Sequence, residues 1–436
     1  MAVSAREVAL DILLRCEKDG GYANLALDAA LSRSELSAVD RGLVTELVFG
    51  VIERKITLDH YISKLSSAKL GEVEPRVLML LRMAIYQLAF LDRIPAYAAV
   101  NESVSLCPKR AKGYVNAVLR SFMRLDAPIA LPDEPIERLS VEYSYPTSLC
   151  ELFCSEFGLE RAGALFSAMN ENPKPSFRVN TLKTDSETLI AALEKEGVKA
   201  QKSSLAPNGL VTSGGAVVSL SGLKNGEFFV QDEASQICCE ALGAKAGDFV
   251  IDVCAAPGSK SFGAAINMKN IGRVLSCDLH KNKLSLIERG AKRLGIDIIE
   301  TRAADGRVGI EELFSKADKV ICDVPCSGYG VIAKKPEIRY KDPKETERLP
   351  EIQYDILESC SRYVKAGGVL VYSTCTVLGR ENGDNIEKFL NAHSDFYAED
   401  YEVCGKKYSA ITTFMPDTDK TDGFFVARLR RKTENE

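Results

Sequence analysis

Up to about Leu125 the apolar residues recur at helical spacing, as at Ala5, Val8, Ala9 and Ile12. That pattern predicts an all-helical domain over residues 1–125. The stretch "DAPIALPDEPIERLS" from Asp126 sets several prolines among polar residues, which breaks helices and predicts a linker over 126–144. Tyr145 to Asn170 again has helical spacing, started by Pro146. "PSFRVNTLK" from Pro175 is strand-like, "TDSETLIAALEKEGV" from Thr184 is a helix with an acidic first turn, and glycine-rich short strands follow to about Ser221. Residues 145–230 are therefore expected to form a small α+β module. From about Gln231 continuous apolar strands alternate with amphipathic helices: "DFVIDVCA", "GRVLSCDL", "IIETRAAD", "DKVICDVP" and "GGVLVYSTC". Such alternation predicts a parallel sheet covered on both faces, a doubly wound α/β domain over 231–436.

A chain of 436 residues fits this multidomain division. The most apolar stretch, "VLMLLRMAIYQLAFL" from Val77, contains Arg82 and is too short to span a bilayer, so a buried helix is expected and a membrane role is not. The first twenty residues carry acids inside the apolar pattern and lack the features of an export signal, so a cytoplasmic location is expected. Thirteen scattered cysteines then read as free thiols. No CxxC pair or histidine cluster accompanies them, so no metal is expected. The net charge of −5 argues against nucleic acid, but its distribution tempers that: residues 1–125 hold 17 basic and 14 acidic residues. "KRAKGYVNAVLRSFMR" from Lys109 sets several cations beside an amphipathic pattern, suited either to phosphates or to a solvated helix face.

Each strand of the last domain ends in a polar or reactive residue: Asp252, Asp278, Asp305, Asp323 and Cys375. Ligands of doubly wound sheets bind beyond the carboxyl ends of the strands, where one cleft collects all five. "DVCAAPGSKS" from Asp252 lets the backbone approach a ligand at a helix N-terminus, yet is neither GxGxxG nor a phosphate loop. Asp278 stands 26 residues after Asp252, where a carboxylate accepts hydrogen bonds from ribose hydroxyls. Asp305 suits an exocyclic amine or a turn cap equally. A nucleoside-bearing ligand without a phosphate loop suggests S-adenosylmethionine, and an adenine dinucleotide also satisfies these residues.

Cys326 and Cys375 lie just past two strand ends, about one helix and one crossover apart, in the small polar contexts "PCSG" and "STCT". Free cysteines are usually inert core residues, but these flanks favour a cleft. Two thiols beside a carboxylate suit a pyrimidine. Carbon 5 of cytosine accepts a methyl group only after a nucleophile has added at carbon 6; Asp323 would stabilise charge at ring nitrogen 3, and a second thiol would help remove the carbon 5 proton. Spacing alone does not say which thiol attacks.

"DVCAAPGSKS", "CDLHKNKL", "AADGR", "DVPCSGYGVIAKKPEIRY" and "VYSTCTVLGRENGDNI" resemble, in order, the motifs of the Sun-type RNA 5-methylcytosine methyltransferases; "FRVNTLK", "FFVQDEAS" and "DGFFVARL" resemble its flanking signatures. The likeness runs from about Tyr145 to Arg431. The amino-terminal helices resemble the NusB RNA-binding fold through "AREVALDILLR" and "YVNAVLR". The combination implies an S-adenosylmethionine-dependent enzyme acting on a cytosine of 16S ribosomal RNA, and a monomer. The resemblance implies that Cys254, Ala255, Ala256, Pro257, Gly258, Ser259 and Lys260 form the cofactor loop, that Asp278 holds ribose and Asp305 the adenine side, and that Asp323 borders cofactor and base. It also implies that Cys375 is the nucleophile and Cys326 promotes release. Ser259 replaces a usual glycine, Val324 a usual alanine and Lys335 a frequent histidine. Transfer RNA as substrate, or an idle RNA-binding scaffold, are the alternatives; an oxidoreductase lacks its glycine fingerprint.

Overall fold

The computed structural model describes residues 4–19, 23–212 and 220–433, so part of the glycine-rich stretch before Ser221 lies outside the described residues. The described residues divide into two units, residues 1–170 with 332–343, and residues 171–331 with 344–436.

The first unit is helical: α1 (Ala5–Asp19), α2 (Ala23–Leu31), α3 (Ala38–Leu65), α4 (Pro75–Phe90), α5 (Ala96–Leu106), α6 (Lys112–Met123), α7 (Pro135–Tyr143), α8 (Thr147–Phe157) and α9 (Leu159–Met169). Ser37 caps α3 by accepting the Asp40 amide, and Pro75 and Pro135 each occupy a first-turn position that needs no donor. Ala9, Leu10 and Leu13 of α1 pack with Val44, Leu47, Val48 and Val51 of α3 and Leu80, Leu81 and Ala84 of α4. Each buried Leu or Val stabilises the unit by about 1.5–3 kcal/mol. The apolar run from Val77 is a buried helix, as expected. Its Arg82 is buried as well, with Nε and Nη2 donating to Asp59 at 2.7 and 2.9 Å and Nη1 to Glu17 at 2.9 Å. Paired on both sides, the guanidinium stays charged inside the core.

Two features differ from expectation. Residues 135–143 of the expected linker form α7, because Pro135 starts a helix rather than breaking one, and Leu139 and Val141 are buried. Residues 332–343 follow the "PCSG" segment in sequence yet belong to the helical unit. Within that unit Arg339 is fully buried. Its Nη1 donates to the carbonyls of Glu53 (2.7 Å) and Ser144 (3.2 Å), its Nη2 to Asn170 Oδ1 (3.0 Å), and its guanidinium lies 4.3 Å from the Tyr145 ring centre. The Tyr340 hydroxyl donates to the Ile52 carbonyl at 2.6 Å.

The second unit opens with an antiparallel sheet of β1 (Ser176–Val179), β2 (Ala200–Lys202), β3 (Gly209–Thr212) and β4 (Phe228–Val230), in the order β2-β3-β1-β4, with α10 (Ser186–Lys195) and α11 (Ser221–Asn225). Arg178 of "FRVNTLK" is buried and donates to Glu240 and Asn267 at 2.6 and 2.7 Å, while Asn180 donates to the carbonyls of Gly226 and Leu294. These bonds tie the small sheet to α12 (Glu233–Leu242), α13 (Ser259–Asn267) and the end of α14 (Lys281–Leu294).

The large sheet contains β5 (Phe249–Asp252), β6 (Arg273–Asp278), β7 (Ile299–Ala303), β8 (Ala317–Asp323) and β9 (Val364–Thr374), all parallel, in the order β9-β8-β5-β6-β7. Side chains alternate between faces: Val250, Ile321, Val369 and Val371 join α12, α13 and α14, whereas Ile251, Val320, Leu370 and Tyr372 join α15 (Leu349–Tyr363) and α16 (Gly383–Ala392). The doubly wound reading holds, in a Rossmann-like domain. The sheet is mixed, however: β14 (Phe424–Arg431) lies antiparallel to β9, with β10 (Phe396–Ala398) and β13 (Ile411–Phe414) antiparallel to it, and β11 (Tyr401–Val403) and β12 (Lys406–Tyr408) form a separate hairpin. No described helix is long and apolar enough to cross a membrane.

Candidate active site

Asp252, Asp278 and Asp323 are the last residues of β5, β6 and β8, Cys375 follows β9 directly, and Asp305 stands two residues beyond β7. All five lie at the carboxyl edge of the parallel strands, where the sequence placed them. The register pairs Asp323 with Ser373, so the segments leaving β8 and β9 start side by side. Three residues on from Asp323 and two on from Ser373, the sulfurs of Cys326 and Cys375 lie 3.2 Å apart. The Cys375 amide points at Cys326 Sγ at 3.3 Å, Ser327 Oγ donates to Thr376 Oγ1 at 2.9 Å, and the Gly330 amide donates to the Cys375 carbonyl at 2.9 Å. Gly330 also meets the loop before β14: the Gly423 amide donates to its carbonyl at 2.8 Å, and a Cβ on Gly330 would lie 1.8 Å from the Gly423 oxygen. Only two glycines fit there.

Both thiols are half-buried. The hydrogen bond with Cys375, burial, and the negative charge of Cys375 and Glu381 push the Cys326 thiol well above the ordinary cysteine range. A thiol held up in this way keeps its hydrogen through the ordinary cysteine range. Asp323 is held from two sides, Oδ1 accepting from Ser373 Oγ at 2.7 Å and Oδ2 from Lys260 Nζ at 2.6 Å. Burial alone would lower the Lys260 ammonium, but Asp323 outweighs it and lifts its pKa, so Lys260 remains a cation.

The loop 254–258 leads from β5 into α13. Gly258 has φ +114°, and a Cβ there would also meet the Phe262 ring at 2.5 Å, so the turn requires glycine on both counts. The Ala255 amide is satisfied by the Cys277 carbonyl at 2.7 Å. Burial first, with Cys360 and the nearby carboxyl groups, drives the Cys254 thiol well above its usual range, so it is no nucleophile. The buried Asp278 carboxyl accepts from the His280 amide at 2.9 Å, with Lys283 Nζ at 3.9 Å. Asp305 accepts from the Arg307 amide (3.0 Å) and from its guanidinium Nε and Nη2 (3.0 and 2.6 Å), which makes a turn cap and a bidentate ion pair. Gln353, outside every motif noted in the sequence, and Glu381 and Asn382, inside "VYSTCTVLGRENGDNI" but given no role there, supply hydrogen bonds behind the two cysteine segments.

Asp252 is fully buried, accepting from Ser261 Oγ at 2.6 Å with its Oδ1 unpartnered. Burial chiefly, tempered by Ser261, raises its pKa to about 7. A carboxyl raised in the folded state stabilises fully below the unfolded value, near 4, and loses that contribution as pH rises to about 7, at about 1.4 kcal/mol per pH unit. Asp252→Asn should therefore melt progressively higher relative to wild type between pH 5 and pH 7.5. A gap in Tm that stays constant with pH would refute the assignment.

All thirteen cysteines are free, and among the described residues no His, Cys, Asp and Glu group is arranged to hold a metal. A family model described as 16S rRNA methyltransferase RsmB/F matches residues 239–430; a NusB family model matches 3–124, and an RsmF/B-like ferredoxin-like domain matches 145–219. A probable ribosomal RNA small subunit methyltransferase B from Bacillus subtilis is 38% identical, over 98% of this chain and 99% of its own length. The ribosomal RNA small subunit methyltransferase B of Proteus mirabilis is 29% identical over 92% of both chains. The crystal structure of PH0851 superposes with a TM-score of 0.81 at 26% identity, covering 99% of this chain and 100% of that one. The chain belongs to the RsmB/F family of 16S rRNA methyltransferases.

Proposed function

We propose that this protein transfers a methyl group from S-adenosylmethionine to carbon 5 of a cytosine in 16S ribosomal RNA, through a covalent bond between Cys375 and carbon 6 of that base. The observation that carries the reading is the pair of sulfurs 3.2 Å apart beyond the ends of adjacent strands, one of which ends in Asp323. Core cysteines do not need two loops bound to one another by side-chain hydroxyls.

In this reading Cys375 gives up its proton to solvent, and its thiolate accepts a hydrogen bond from Cys326. The thiolate adds to carbon 6, and the ring electrons move toward carbon 5 and nitrogen 3; nitrogen 3 takes up a proton from water until the base is released, and the Asp323 carboxylate accepts the hydrogen bond of that N–H. Bound, S-adenosylmethionine supplies an electrophilic sulfonium methyl group that the electron-rich carbon 5 accepts. Cys375 is then a thioether, and the thiolate charge that kept Cys326 protonated is gone. Cys326 becomes free to ionise and take the carbon 5 proton, directly or through water. The electron pair of that C–H bond restores the 5,6 double bond and expels the Cys375 thiolate.

The fit of the residues to the cofactor rests on the loop that only glycine can turn, on the amides of the first turn of α13, and on Asp278 at the tip of β6. Residues 254–260 would hold the methionine part, Asp278 the ribose, and Asp305, whose Arg307 partner is half exposed and easily exchanged, the adenine. Catalysis at carbon 6 requires an unstacked base, which single-stranded or looped RNA provides. We assign RNA capture in part to the NusB-like helices, where Lys109, Arg120 and Arg124 are exposed on and beside α6.

Full-length protein incubated with methyl-labelled S-adenosylmethionine and 16S rRNA should yield labelled 5-methylcytidine on nucleoside digestion. Label on ribose, on an exocyclic nitrogen, or on transfer RNA alone would overturn the reading.

A further inference from the structure

Cys326 is flanked by Pro325 and Ser327, and both flanking peptide groups are tied to one place. The Ser327 amide donates to Glu381 Oε2 at 2.9 Å; Gln353 Nε2 donates to the same oxygen at 2.8 Å and to the Pro325 carbonyl at 3.0 Å. Cys375 is flanked by Thr374 and Thr376, and both are tied to the next residue in the chain. Thr374 Oγ1 donates to Asn382 Oδ1 at 2.6 Å, and Asn382 Nδ2 donates to the Thr376 carbonyl at 3.0 Å. Two consecutive side chains thus each bracket one thiol.

Glu381 is fully buried and Asn382 nearly so. Glu381 Oε1 has no hydrogen-bond partner, and both donors to Oε2 are neutral. Burying a carboxyl group without a cation costs several kcal/mol, and a fold does not retain it for packing when leucine or methionine would fill the space. The Tyr372 hydroxyl, donating to the Glu381 carbonyl at 2.6 Å, fixes the dipeptide to β9.

We propose that Glu381 and Asn382 are the positioning residues of the reaction, Glu381 for Cys326 and Asn382 for Cys375, and that they act on different steps. Asn382 sets the sulfur that attacks, so it governs formation of the covalent complex. Glu381 sets the sulfur that takes the proton, so it governs breakdown. The negative potential of Glu381 also makes Cys326 a stronger base. This proposal rests on the thiol roles given under Proposed function.

The test uses full-length Glu381→Gln and Asn382→Ala with 16S rRNA and S-adenosylmethionine, and Cys326→Ala alongside. Cofactor affinity by titration calorimetry and Tm establish that each variant is folded. Glu381→Gln should form the covalent complex at nearly the wild-type rate and release it about 100-fold more slowly, lowering kcat while KM for RNA stays within about threefold; denaturing gels then show the complex accumulating. Asn382→Ala should slow complex formation about 100-fold, with no accumulation. Equal slowing of both steps in both variants, or wild-type kinetics in either, overturns the assignment. Gln353→Leu, which leaves the carboxyl group in place but removes one of the two donors to Glu381 Oε2 and cuts the tie to Pro325, should follow Glu381→Gln more weakly. If both it and Glu381→Gln fail to fold, the network is structural and the proposal falls. If Cys326→Ala itself leaves no complex, the thiol roles fail; if it does and Glu381→Gln does not, only the role of Glu381 fails.

Discussion

Cys375→Ala will abolish methyl transfer, by on the order of 10⁴-fold or more, and with it every trace of a denaturation-resistant protein–RNA complex. Without a nucleophile at carbon 6, carbon 5 of cytosine stays too electron-poor to accept a methyl group, and no other thiol takes over. Cys326, whose sulfur lies 3.2 Å from that of Cys375, is oriented by Glu381 and Gln353 for another task. The substitution removes a half-buried side chain from a strand end, so cofactor affinity and Tm should change little. Methyl incorporation and a denaturing gel are sufficient measurements. A Cys375→Ala protein that still bonds to RNA would reverse the two thiol roles.

Cys326→Ala should do the opposite to the gel while also stopping turnover. Attack and methyl transfer proceed, but the carbon 5 proton has no acceptor and the Cys375 thioether has no route out. The expected result is one methyl group per enzyme and a covalent complex that accumulates over many times the wild-type turnover time. Because the thiolate would lose the Cys326 hydrogen bond, attack itself should slow, by about tenfold for a hydrogen bond to a charged group. Free methylated RNA released at the wild-type rate would show that Cys326 has no part in breakdown.

The parallel strands and their carboxyl-end residues were legible because each is a local pattern: an apolar run, then an acid or thiol, at the tip where doubly wound sheets gather ligands. The 3.2 Å contact between Cys326 and Cys375 follows from that logic, since β8 and β9 are neighbours. What stayed hidden is long-range or context-dependent. Gln353 reaches the "PCSG" segment from α15 with nothing in its own neighbourhood to mark it, and Glu381 and Asn382 stand in the "VYSTCTVLGRENGDNI" motif with nothing local to show that they reach back to the cysteine segments. Asp305 satisfied two readings in sequence, and only the nearby Arg307 shows the cap in place. Pro135 looked like a breaker because proline ends a helix but also begins one. The antiparallel placement of β14 depends on the chain returning across the sheet, which periodicity does not encode.

Because segment 332–343 belongs to the helical unit, that unit is completed late in synthesis. Arg339 seals a site among Glu53, Ser144, Tyr145 and Asn170, so a nascent chain that has just completed α9 still lacks one of its interior side chains. At typical translation speeds the missing piece arrives roughly 10–35 s later. Until then the carbonyls of Glu53 and Ser144 and the Asn170 side chain lack the guanidinium that joins them in the finished unit.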